Sequence, residues 1–72
     1  MSIWDRILIE AIMDGNAYPV REFHEKFVKK FDRKITISQT RRKLNEWFSN
    51  GKARRIHYNG KYHYCFVPVK LY

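Results

Sequence analysis

The sequence predicts a small α+β domain, three helices followed by a two-stranded antiparallel hairpin. Three observations carry this. Apolar residues recur at helical spacing as far as Asn50, the period becomes β-like beyond Gly51, and Asn59-Gly60 stands in the middle of the β-like stretch. A chain of 72 residues holds one domain, 1–72, and folding at that size removes only about 60% of the unfolded surface from water. With 17% of its residues aromatic, large rings must supply much of the buried area. The lone Cys65 excludes an internal disulfide, so the core carries the fold without a covalent staple, as suits a reducing, cytoplasmic setting.

Helix 1 is expected over about 2–14. Ser2 and Asp5 have capping-box spacing, Trp4, Leu8, Ala11 and Ile12 repeat on one face, and Gly15 is a natural stop. Ile3, Ile7, Ile9 and Met13 widen its apolar surface beyond one packing face, which points to cover by the C-terminal tail or by a second copy of the chain. A short extended piece, 17–19, follows because the residue before Pro19 is pushed out of the helical region. Helix 2 then opens at Val20, with Val20, Phe23, Phe27 and Phe31 as its inner stripe and His24 at the stripe's edge.

Residues 32–36 form a charged turn with Ile37 as the apolar anchor after it, and the stretch Ile35, Thr36, Ile37 has the β-branched character of a brief strand. With Ser38 as N-cap, helix 3 covers about 39–50 and turns Ile37, Thr40, Leu44, Trp47 and Phe48 inward. Residues 52–58 and 61–67 make the hairpin. A two-residue loop pairs Tyr58 with Lys61 and Ala53 with Phe66, whereas a three-residue loop slips this by one. In either register Tyr64 and Phe66 face the helices. Pro68 ends the pairing, and the tail 69–72 packs back on the body.

The net charge of +8 is concentrated. Residues 33–61 hold nine basic side chains against the single acid Glu46, while the remainder is balanced. Such a one-sided field attracts polyanions. The one N-terminal apolar run is interrupted by Glu10 and is too short for a membrane span.

The order helix, extended piece, helix, turn, helix, hairpin resembles the winged helix-turn-helix superfamily over nearly the whole chain. The best-matching stretch is ISQTRRKLNEWFSNGKARRI (37–56), which looks like a recognition helix and first wing strand. The turn before it is longer and more charged than is usual there. The resemblance implies sequence-specific binding of duplex DNA, with helix 38–50 in the major groove and the 52–67 hairpin as wing. A small phage or plasmid transcription regulator, associated with the nucleoid, is the corresponding setting.

Gln39 and Arg42 have the forked side chains that pair bidentately with adenine and guanine edges. Ser38, Thr40, Arg41 and Lys43 suit phosphates near the positive end of the helix, although Thr40 and Arg41 project partly inward. On the hairpin, Lys52, Arg54, Arg55 and Lys61 suit flanking phosphates, with Asn59 and Gly60 at the tip. Three alternatives stand beside this. Arg42 has i,i+4 spacing to Glu46 and so suits a surface ion pair. The fold also serves to dock on acidic protein partners. His57, Tyr58, Tyr62 and His63 would stack on the bases of RNA or another single strand, or pack across the strands.

His57, His63 and Cys65 are too scattered for a metal site, and Cys65 lacks the partners of a nucleophile. The expectation is therefore a non-enzyme without cofactor, with duplex DNA as partner and a homodimer through helix 1 and the tail.

Overall fold

The computed structural model describes residues 2–66. The expectations for Pro68, for the tail 69–72 and for a dimer contact made by that tail lie outside the described residues. Within them the chain forms a small α+β fold of three helices and a three-stranded antiparallel sheet.

Helix α1 (Ile3–Asp14) starts in a full capping box. The Asp5 amide donates to Ser2 Oγ at 3.1 Å, and the Ser2 amide donates to Asp5 Oδ2 at 3.3 Å. It stops at Gly15, whose φ of 77° is the left-handed conformation that a residue without Cβ adopts freely. Ile7 is fully buried and belongs to the core, so the surplus apolar surface of α1 reduces to Ile3, Ile9 and Met13, which are exposed.

The extended piece pairs. Strand β1 (Tyr18–Pro19) joins the hairpin as a third strand, opposite Tyr64 and His63, where a two-stranded hairpin was expected. Tyr18 is fastened back to α1 by donating to Asp14 Oδ2 at 2.6 Å. That bond holds the Asp14 carboxyl below its usual range and Tyr18 above its own. Pro19, which has no N–H to give, sits at the sheet edge where the loss is tolerated.

Helix α2 (Val20–Phe23) runs into a π-helical turn, His24–Val28, closed by the Lys29 amide on His24 O at 3.0 Å. The wider turn stacks residues four apart more directly, so His24 and Val28 follow Phe23 and Phe27 inward. The predicted single stripe thus becomes a double one. Residues 32–35 form a turn, not a strand. Asp32 Oδ1 accepts from the Lys34 amide at 2.9 Å, and Asp32 O accepts from the Ile35 amide.

Helix α3 (Ile37–Ser49) begins two residues earlier than expected because Thr36, not Ser38, is the N-cap. Thr36 Oγ1 accepts from the Gln39 amide at 3.1 Å, and Gln39 Oε1 accepts from the Thr36 amide at 2.8 Å. Reciprocal satisfaction of two amides outweighs the single bond that a Ser38 cap offers. Beyond Gly51 the Lys52 and Ala53 amides both return to Trp47 O, which folds the chain straight into the sheet.

Strands β2 (Arg54–Tyr58) and β3 (Lys61–Cys65) form the hairpin, with Tyr58 opposite Lys61 and Arg54 opposite Cys65. This is the two-residue-loop register. Positive φ at Asn59 and Gly60 gives the turn whose twist matches that of the strands. The strand order β1-β3-β2 leaves β2 paired on one side only.

Trp47 stands at the centre of the core, edge-on to Trp4, Phe23 and Phe66 at centroid distances of 5.9, 6.4 and 5.3 Å. Tyr64 and Phe66 face the helices as expected, and Cys65 is buried as well.

Candidate nucleic-acid interface

Helix α3 buries Thr40, Leu44 and Trp47. With those three inside, helical spacing turns Ser38, Arg42, Asn45 and Ser49 outward, puts Arg41 and Phe48 on the flank toward the hairpin, and puts Gln39 and Lys43 on the opposite flank. The outward stripe carries one charge, Arg42. Its expected pairing with Glu46 is not formed. Lys43 takes that carboxylate instead, at 2.6 Å, and lies over the Trp4 ring.

Three candidates change standing. Thr40 is fully buried, with its hydroxyl donating to Thr36 O at 3.2 Å, so it cannot reach a phosphate without unfolding the helix start. Gln39 has its amide oxygen occupied in the cap, so a bidentate pair with a base would break that cap. Lys43 is compensated by Glu46. Ser38, Arg42, Lys52, Arg54 and Lys61 are exposed, as are Asn59 and Gly60 at the tip. Arg41, expected to turn partly inward, is exposed too.

Between α3 and the hairpin lies a groove of about 440 Å3, bounded on its third side by Pro19, Val20 and Arg21 at the start of α2. Four cations line it, Arg21, Arg41, Arg55 and Lys61, and no acidic residue does. Asn45 and Tyr64 form its floor, joined by the Tyr64 hydroxyl donating to Asn45 Oδ1 at 2.6 Å. This bond fixes the Asn45 amide through its oxygen.

Arg55 is the half-buried cation of the groove. Its Cζ lies 4.0 Å from the centroid of Phe48 and 4.2 Å from that of Tyr62. A ring from the helix and a ring from the hairpin therefore flank one guanidinium, each contact worth about 0.5–1 kcal/mol at an exposed site. This is also why Phe48, expected inside, is 38% exposed: it packs on Arg55 instead of entering the core.

The ion pairs among the described residues are few and all involve lysine. Lys29, Lys30 and Lys43 form ion pairs with Glu25, Glu10 and Glu46, whereas none of the seven arginines forms one among the described residues. Cationic side chains left uncompensated around a concave surface raise the local positive potential.

Residues to which the sequence assigns no role at this surface are Arg21, Asn45 and Phe48. Arg21 lies in the electrically balanced half of the chain, and only the pairing of β1 with β3 brings it beside the hairpin. Asn45 is legible beside the outward stripe, but its bond to Tyr64 is not, because that joins residues 19 apart.

Below the surface, His24 Nδ1 lies 2.7 Å from Thr40 Oγ1. Since the Thr40 hydroxyl gives its one proton to Thr36 O, the neutral imidazole donates from Nδ1, and the chain His24, Thr40, Thr36 ties the π turn to the start of α3. Burial pushes the His24 pKa below its ordinary 6.5. A base whose folded pKa is depressed contributes stability that is complete above its unfolded value and is lost as pH falls through the window below it. Melting temperature is therefore expected to drop as pH is lowered through about 6.5. His24→Asn, which keeps a donor near the Nδ1 position without titrating, should flatten that drop. An equal drop in the variant would assign it to other groups.

Among the described residues no group of three or more His, Cys, Asp or Glu side chains is placed to hold a metal ion. No described helix is long and apolar enough to cross a membrane. Comparison of the chain with protein-family models, with curated proteins and with solved structures returns no match.

Proposed function

We propose that the chain is a winged helix-turn-helix protein that binds duplex DNA in a sequence-dependent way, as a small regulator would, with α3 in the major groove and the β2–β3 hairpin as its wing. The element order supports the fold side of this reading, with β1 as a third strand of the wing sheet. The observation that carries the functional side is the acid-free groove. It lies next to an outward helix stripe of hydroxyls, an amide and Arg42. Phosphates would take the cations, and base edges would meet the stripe.

In this reading Arg42 keeps the base-contacting role, and Ser38, Arg41, Lys52, Arg54 and Lys61 hold phosphates. The test is selection from a random duplex library. Arg42→Ala is expected to relax preference at one base pair, by about 1–3 kcal/mol, while Arg54→Ala weakens all sequences alike. A library that shows no enrichment with the unaltered chain would sink the proposal. Docking on an acidic protein is then the next reading, favoured by the exposed Ile56 and Tyr58 on the opposite hairpin face.

A further inference from the structure

We propose that Arg55 is the anchoring phosphodiester donor of the groove between α3 and the hairpin, and that Phe48 and Tyr62 are positioning residues that preset it. This rests on the nucleic-acid reading above and specifies which side chain is built for it.

An unattached arginine must give up much of its rotamer freedom to hold a phosphate in a two-pronged grip. Arg55 has already given it up. Its guanidinium carbon is 4.0 Å from one ring centroid and 4.2 Å from another, and the two rings come from different elements. Contacts with ring faces occupy the flat surfaces of a guanidinium and leave the N–H groups along its edge free to donate. No carboxylate takes them, since Arg55 forms no ion pair among the described residues.

The surroundings select the ligand. Arg21, Arg41 and Lys61 line the same groove without an acid among them. Their mutual repulsion is relieved by an anion, and two or more of them can grip successive phosphates of one strand. Because Phe48 belongs to α3 and Tyr62 to β3, Arg55 also braces the helix against the hairpin. The two surfaces that must contact one duplex are thus held at a set angle before it arrives. Arginine is needed for this: an ammonium has neither the flat faces nor the fork.

The experiment measures the affinity of the full chain for a fluorescein-labelled mixed-sequence DNA duplex, across a salt series, for the unaltered protein and for Arg55→Lys, Phe48→Leu and Tyr62→Leu. Arg55→Lys keeps the charge, so the salt slope is expected to stay while affinity falls about tenfold. Phe48→Leu and Tyr62→Leu change no charge and are expected to weaken binding by about fivefold at the same slope. Phe48→Leu should add little once Arg55→Lys is present, because both act through one guanidinium. Variants that bind like the unaltered chain, while that chain binds well, overturn the assignment and leave the nucleic-acid reading standing. An unaltered chain that binds no duplex overturns both. A second measurement needs no variant. The Arg55 Nε–H resonance should lie upfield in the free protein, from the ring currents of Phe48 and Tyr62, and should move when duplex is added. A resonance at the unstructured position overturns the proposal.

Discussion

Phe23→Ala is expected to leave the chain largely unfolded at 25 °C. Phe23 is fully buried, and its ring lies 4.9 Å from Phe27, 5.7 Å from Phe66 and 6.4 Å from Trp47, so it joins α2, α3 and the end of the hairpin. Removing a buried phenyl group costs about 3–5 kcal/mol, since the surrounding rings close the void only in part. A domain of this size has a total stability of about 4–11 kcal/mol, and small domains lie toward the low end. Phe48→Ala makes the contrast. That ring is partly exposed and packs on Arg55, so its removal should cost about 1 kcal/mol or less. Urea titration followed by circular dichroism measures both. A Phe23→Ala transition within about 1 kcal/mol of the unaltered protein would mean that the aromatic cluster is not the stabilising centre.

The second large effect concerns salt. Arg21, Arg41, Arg55 and Lys61 line the groove, Arg42 stands on the adjoining helix stripe, and Lys52 and Arg54 are exposed at the start of the hairpin. If about six phosphates are neutralised, log K for duplex DNA falls against log salt with a slope near −5, because each contact releases condensed counterions. Raising monovalent salt from about 50 to 200 mM should then weaken binding about a thousandfold. Arg21→Ala should reduce the slope by about one, even though Arg21 lies outside the basic half of the sequence. A slope near zero would exclude phosphate contact as the source of affinity.

Much of the fold is legible in the residues because the signals are local. Ser2 and Asp5 announce the start of α1, Gly15 its end, and Asn59-Gly60 the hairpin, whose register stays open between two loop lengths until the strands are seen paired. What escapes has two physical origins. The first is non-local. β1 is two residues long and has no pattern of its own, and it is a strand only because Tyr64 and His63 lie beside it. The same pairing brings Arg21 to the groove. The second is competition between near-equivalent local options. Thr36 and Ser38 both suit a helix cap, and the Gln39 amide decides for Thr36 because it returns a second bond. Gln39 thereby becomes part of the helix start, a role that a helical projection does not reveal. Phe48 is the third case, since an aromatic ring has two partners open to it, a core or a guanidinium.

The free side of β2 carries a further consequence. A strand whose outer backbone groups lack a neighbour is a template on which a second chain can add, and such templates are where small sheet proteins begin to aggregate. Here that margin bears Arg54 and Arg55 at adjacent positions. A like-charged copy approaching it is repelled, so Arg55 from the groove side and Arg54 from the other face keep the protein from polymerising along its own sheet. Neutralising Arg55 weakens this protection together with the groove's hold on a polyanion, and the concentration at which such variants stay in solution becomes part of their phenotype.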